Sequence, residues 1–530
     1  MRAVCLLLFV TGCVVPAVDS GPSGGGEDRA SVTSIDRRDR VGVYNWGADA
    51  AALFPGRPFD GPNELIAQLG TRTIRVALSM RGEYGGPHAA SLAEAARGMA
   101  GLFADPRFAT YLLTTYSDDD GLALWQDGYS ADERGRERAA FAELAAYLSG
   151  AFPTKRFILL NWEGDNQIAS LRACDASWIG FRDWIQARAD GVRDAAAANV
   201  FSGLEFNLVR TRDGAPCDRG ANRCVVSAVA PDVTVDYYSY SSYQSIGYGV
   251  AVDAIGATLR RDLDTARGWV VAPPERFIVG ELGFAREVPE DGECVVARRL
   301  EATLRAALDW GVAHAIYWQV LDNVADGSWD GFGLYKQDGA LGLAGRTLSE
   351  FLVSGALAAA TAPSCPQIAA GGVVEASAGV ATSSSILSIY GSGFAGGGRD
   401  VVHVHQGRWH QTVASGSPWF YSDPHQINFA LPAGLAGGSD EAVIVYVTSD
   451  GVDSNGQWVR LAAPGTRCGD GRVDAGEACD GGPCCTEACT LRPAGTTCRD
   501  TGLACDAAEA CDGATAACPA DQLVCPSSCG

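Results

Sequence analysis

The sequence predicts an α/β (β/α)8 TIM barrel, followed by an all-β sandwich and a small disulfide-rich module. Three observations carry this. Eight apolar runs alternate with helical stretches between about Val41 and Leu357. Short alternating runs separated by Gly and Ser come next, without a helical pattern. Eleven of the 18 cysteines then fall between Cys468 and Cys529. A chain of 530 residues exceeds one ordinary domain. The expected layout is a signal peptide over 1–12, a flexible tether over 13–37 and a barrel over 38–358. A linker over 359–371, a sandwich over 372–463 and a cysteine-rich module over 464–530 complete it.

The amino terminus MRAVCLLLFVTGCVV places one Arg before a short apolar stretch and ends in Val10-Thr11-Gly12-Cys13. It resembles a bacterial lipobox, which implies lipidation of Cys13 and a membrane contact through that anchor alone. Cleavage near Ala17 and an uncleaved anchor are the alternatives. The Gly/Ser-rich stretch after it reads as a tether. Export to the cell surface or medium fits the cysteines, sixteen of which remain beyond Cys13, an even number suited to disulfides. A formal charge of -22 with no basic block argues against nucleic acid as a partner. A monomer is expected.

The eight barrel runs are VGVYNWG (41–47), TIRVALSM (73–80), TYLLTTYSD (110–118), RFILLNWEGDN (156–166), VFSGLEFNLV (200–209), VTVDYYSYSSY (233–243), RFIVGELGF (276–284) and HAIYWQVLDN (314–323). Most are near-continuous apolar runs, as buried parallel strands should be. Helical stretches such as ERAAFAELAAYLSGAF and ARRLEATLRAALDWG separate them. Polar and aromatic residues gather at the carboxyl end of each run, where this barrel builds its active site. A doubly wound open sheet would alternate in the same way, but no Gly-rich phosphate loop follows the first run.

Glu163 ends the fourth run and Glu281 the seventh. Strands 4 and 7 face each other across the mouth of an eight-stranded barrel. Two carboxylates there can straddle a bond; at about 5–5.5 Å one attacks while the other gives a proton. A single Glu at a strand end is commonly a cap or an ion-pair partner, so the pair and its aromatic surroundings make the case. Aromatic faces beside carboxylates suit sugars, whose C–H faces stack on rings. Trp46 and Trp125 are further subsite candidates. The only barrel histidines, His88 and His314, lack ligand spacing, and no G-x-S-x-G is present, so neither a zinc hydrolase nor a serine triad is expected. No cofactor is expected. His403, His405 and His410 in the sandwich could bind metal, but are read as solvated strand histidines, with no metal site. Cys217 and Cys224 should pair, and Cys174, Cys294 and Cys365 leave one thiol over.

GELGF around Glu281, LLNWEGDN around Glu163, DYYSYSSY and IYWQVLDN resemble the large clan of retaining (β/α)8 glycoside hydrolases, the cellulases and mannanases among them. The resemblance spans about residues 40–350. It implies Glu281 as nucleophile and Glu163 as acid/base in cleavage of a β-linked oligo- or polysaccharide. It also implies that Tyr238 or Tyr240 hydrogen-bonds the nucleophile, that Trp318 floors the sugar site, and that Arg75 lies near Glu281. Trp318 could equally fill the barrel, and Arg75 could be structural. The clan has Asn directly before its acid Glu, whereas here Trp162 follows Asn161. Asn166 or Asn207 then competes with Asn161 to hold the sugar 2-hydroxyl. A surface glycan-binding or adhesion protein on an inactive barrel is the alternative reading, and a transglycosylase a third.

In the sandwich, ILSIYGSGFAG and HQINFALPAGLAGG resemble a bacterial immunoglobulin-like module. In the tail, CDGGPCC, AGTTCR and CDAAEACDG resemble a disintegrin-type module, without an integrin-binding tripeptide between Cys498 and Cys511. So little apolar mass needs disulfides to fold.

Overall fold

The computed structural model describes residues 36–520, apart from 47–52, 83, 85–87, 118–124, 126–127, 170–174, 248, 287–290, 323–330, 337, 363, 376–385, 407–408, 433–434, 436–442, 460–477, 487 and 500–507. Cys13, Cys174, the signal and most of the tether lie outside the described residues.

Eight parallel strands close into a barrel: β1 (Val41–Asn45), β2 (Thr73–Ser79), β3 (Thr110–Tyr116), β4 (Arg156–Leu160), β5 (Val200–Phe206), β6 (Tyr237–Ser241), β7 (Phe277–Leu282) and β8 (His314–Tyr317). β8 returns to β1 through Gly42↔Ile316. Gly42 is needed there, because a Cβ would lie 2.8 Å from the Ile316 side chain. Each strand lies within its sequence run but is shorter. The sixth starts at Tyr237, residues 233–236 being in neither helix nor strand, and residues 164–169 beyond the fourth are helical.

Strand alternation sorts the side chains into two cores. Val43, Val76, Leu113, Tyr238, Tyr240 and Val279 point outward against the helices. Tyr44, Leu112, Ile158, Leu160, Tyr237, Ile278 and Ile316 fill the interior, with Trp46 and Trp318 above them. The surrounding helices carry legible start and stop signals. Ser130 and Glu133 form a capping box on the helix Ala131–Ala151. Gly311 ends Glu293–Trp310 at φ 103°, a left-handed conformation natural to glycine.

The second domain is a sandwich. One sheet runs β13 (Tyr421–Ser422), β14 (Gln426–Ala430), β10 (Ile386–Ser392), β9 (Gln367–Glu375). The other runs β12 (Trp409–Ala414), β11 (Asp400–Gln406), β15 (Val443–Ser449), β16 (Val452–Asp453), with β17 (Gln457–Val459) also on β15. Leu387, Ile389, Val402, Val404, Phe429 and Val445 form its core.

The segment read as a linker is strapped down. β9 begins inside it at Gln367. Cys365 is bonded to Cys294 of the barrel, and the Ala359 and Ala360 amides donate to Glu301 and Thr347. Buried Glu293 accepts from the Leu343 and Asp453 amides and pairs with Lys336 at 3.0 Å, so barrel and sandwich share one polar junction. Cys217 pairs with Cys224 as expected. In the tail, Cys479–Cys485, Cys484–Cys511 and Cys498–Cys518 are bonded. No described helix is long and apolar enough to cross a membrane.

Candidate active site

Arg75 is inward on β2 and has no exposed surface. A buried guanidinium must be neutralised and hydrogen-bonded. Glu205, inward on β5, does this with two parallel bonds of 2.7 and 2.8 Å. Arg75 also donates to Thr114 Oγ1 and the Gly280 carbonyl, and lies over the Tyr44 ring at 4.6 Å. Ser239 donates to Glu205 at 2.7 Å. Gly280 leaves room for this group: a Cβ there would fall 2.1 Å from Ser239 Oγ and 2.3 Å from Glu205 Oε2.

Glu281 follows Gly280 and by strict alternation would point outward. A register shift re-aims it: Tyr240 pairs with Val279 but Ser241 pairs with Glu281, one extra residue on β7. Bulges of this kind turn a side chain to a new face. Glu281 thereby joins the inner group, with Oε1 3.5 Å from Arg75 Nη1. That oxygen is buried without a hydrogen-bond partner.

Glu163 lies just before the helix Gly164–Ala169. Ser241 Oγ donates to its Oε1 at 2.5 Å and Asn166 donates to its Oε2. Its amide donates to Glu205 at 3.3 Å. Gly164 lets this segment approach β5, since a Cβ would lie 2.9 Å from the Glu205 carbonyl. Ser241 thus bonds one glutamate and is the strand partner of the other. Burial pushes Glu163 up to about 7, against the Ser241 and Asn166 hydrogen bonds and with the Glu205 charge. Burial also raises Glu281 well above the usual carboxylate range; Arg75 opposes this, while Glu163 and Glu205 add to it. The arrangement can store a proton at neutral pH and release it to a bound group.

The structure draws together most of the residues singled out in the sequence. Trp318 and Trp46 are half-buried and face each other at 5.8 Å between ring centroids, with Tyr44 edge-on to both. Arg75 lies beside Glu281, and Asn166 holds Glu163. Three expectations need correction. Tyr238 and Tyr240 point away from Glu281, because their positions on β6 face the helices; Tyr240 bonds Ser245 at 2.8 Å and Tyr238 packs on Phe277. Asn161 is turned onto the Glu205 backbone, donating to its carbonyl at 2.9 Å and accepting from its amide at 2.8 Å. Trp125 is buried against Phe181 and Trp184. The Asn207 side-chain Oδ1 is buried without a hydrogen-bond partner.

Glu205, Ser239 and Ser241 escaped the sequence reading. A Glu at inward parity in the strand VFSGLEF, with an equally isolated Arg75 in TIRVALS, was the available signal. His314 begins β8, at the end opposite Trp318, and burial lowers it to about 3.

A disintegrin family model matches residues 462–521. No curated protein matches the chain. Among solved structures, a GH5_18 protein of Streptomyces cattleya in complex with Manβ1-4GlcNAc is 17% identical, with TM-score 0.44, covering 59% of this chain and 80% of that one. The exo-β-1,4-mannosidase Op5Man5 of an Opitutaceae bacterium is 16% identical, with TM-score 0.43, covering 60% and 59%. Bacteroides uniformis β-glucuronidase 2 is 11% identical, with TM-score 0.38, covering 76% of this chain and 43% of that one.

Proposed function

We propose that the chain is a retaining glycoside hydrolase acting on a β-linked glycan, with Glu281 as nucleophile and Glu163 as acid/base. The observation that carries this is one buried cluster. It holds two glutamates from the carboxyl ends of β4 and β7 that meet at Ser241, one of them paired with Arg75, which covers the Tyr44 ring that Trp46 and Trp318 meet edge-on.

Glu281 pairs with Arg75 at 3.5 Å, and that cation opposes the upward push of burial, Glu163 and Glu205 and favours the charged form a nucleophile needs. Glu163, raised by burial and the Glu205 charge against its Ser241 and Asn166 hydrogen bonds, keeps a proton near neutrality. An oxygen of Glu281 attacks the anomeric carbon, and the bond to the glycosidic oxygen breaks as that oxygen takes the Glu163 proton. Water, deprotonated by Glu163, then attacks the anomeric carbon and frees Glu281. The indole faces take the C–H face of the sugar.

Five disulfides among the described residues support an oxidising compartment. With the lipobox-like start, they support an exported, lipid-anchored enzyme whose sandwich and tail are surface modules.

The test is reducing-end release from β-glucans, mannans, xylans and galactans by wild type and Glu281→Gln. Release by wild type that is lost in the variant, with an initial product of retained anomeric configuration by NMR, is expected. Undiminished release by the variant, or an inverted product, overturns the assignment. Silence of wild type across the panel favours a barrel that only binds glycan.

A further inference from the structure

Away from the barrel mouth, the face of the sandwich carries three histidines that form one cluster. His403 and His405 are two residues apart on β11 and so share a face. His410 on β12 pairs with His405, and Tyr446 on β15 pairs with His403. One ring nitrogen from each histidine lies within 4.8 Å of the others. They are not the solvated side chains the sequence suggested: His405 is buried, and only His410 is exposed.

The hydrogen bonds fix which nitrogen of His403 is available. Thr448 Oγ1 donates its one proton to Asp453 at 2.6 Å, and Asp453 pairs with Lys336 at 2.9 Å. Thr448 can therefore only accept from His403 Nε2, 2.8 Å away. That leaves His403 Nδ1 with a lone pair, aimed at His410 Nε2 at 3.0 Å. A histidine whose far nitrogen is anchored through a hydroxyl to a carboxylate is arranged as metal-binding histidines are.

We propose that His403, His405 and His410 bind a divalent transition metal of the zinc class, with water completing the shell. Zinc at roughly 2.0–2.1 Å from each nitrogen sets the nitrogens about 3.3 Å apart, close to the 3.0 Å between His403 and His410. The rings stack within 7° of parallel, so binding must turn one about χ2. His410 is free to do so on its exposed side, moving its proton from Nε2 to Nδ1 without net release. Three neutral imidazoles favour Zn2+, Ni2+ or Cu2+ over Ca2+ or Mg2+.

The test is equilibrium dialysis of the full chain, disulfides intact and chelator-treated, against Zn2+ and separately Ca2+. His410→Ala, His403→Gln and His425→Ala are dialysed alongside, and each is checked for folding by melting in chelator. The expected result is about one zinc per chain more in wild type and His425→Ala than in His410→Ala, with no calcium taken up. Exposed His410 can be truncated without disturbing the fold, so it decides the outcome if His403→Gln melts early. Equal zinc in wild type and His410→Ala, or none in wild type, overturns the site.

Discussion

Replacing Glu205 by Gln tests whether the Arg75 pair is what holds the site. The change keeps the shape and removes one charge, leaving the Arg75 guanidinium buried with half of its bidentate partner lost. Breaking a buried pair in this way costs about 3–5 kcal/mol. For a barrel of roughly 320 residues that is a fall in Tm of about 4–7 °C. The electrostatic effect runs in a known direction. The Glu205 charge raises both Glu163 and Glu281, so its removal lowers both. Both limbs of the pH–rate profile should shift to lower pH. Thermal melting and the pH dependence of kcat/KM on the best substrate of the glycan panel give the two readouts. An apolar double replacement, Arg75→Leu with Glu205→Leu, should recover part of the stability while activity stays lost, because it removes the uncompensated charge. A Glu205→Gln protein that melts with wild type and keeps both limbs in place would refute the reasoning.

The raised pKa of Glu163 has a cost in stability. A folded pKa of about 7 against 4.5 unfolded means that the folded state holds its proton more tightly, so stability is lost as pH rises from about 4.5 through 7. Glu163→Gln should therefore melt close to wild type at pH 4 and up to about 3 kcal/mol more stably at pH 8, while losing activity; equal melting at pH 8 would count against the buried proton. Removing the Cys294–Cys365 bond with Cys294→Ala and Cys365→Ala frees a loop of 71 residues, which costs about 4 kcal/mol by chain entropy. Calorimetry should then resolve separate barrel and sandwich transitions; a single unchanged transition would show that the Glu293 junction suffices.

Much of this was legible in the chain itself. The eight apolar runs fixed the barrel because buried parallel strands require them, and Glu163 and Glu281 stood out as carboxylates ending such runs. Trp318, Trp46 and Arg75 were legible for the same reason: strand order places run ends together. The errors came from parity. The resemblance implies Tyr238 or Tyr240 beside the nucleophile, and both are at the right height. Yet residues one step apart on a strand face opposite ways, and it is Ser239 and Ser241 that look inward. Parity would also have rejected Glu281, which reaches the site through an extra residue on β7. That register shift depends on how β6 and β7 pair, and no local pattern encodes it.

The sequence by itself determined the order of strands and put Glu163 and Glu281 at the carboxyl ends of the fourth and seventh runs, since each follows from local hydrophobic pattern and chain order. Only the tertiary structure decided that Glu205 neutralises Arg75, that Ser241 links the glutamates and that three histidines meet on the sandwich. Those contacts join residues on different strands, up to 130 positions apart in the chain. Their energies come from burial and charge, which exist only once the strands have closed around them.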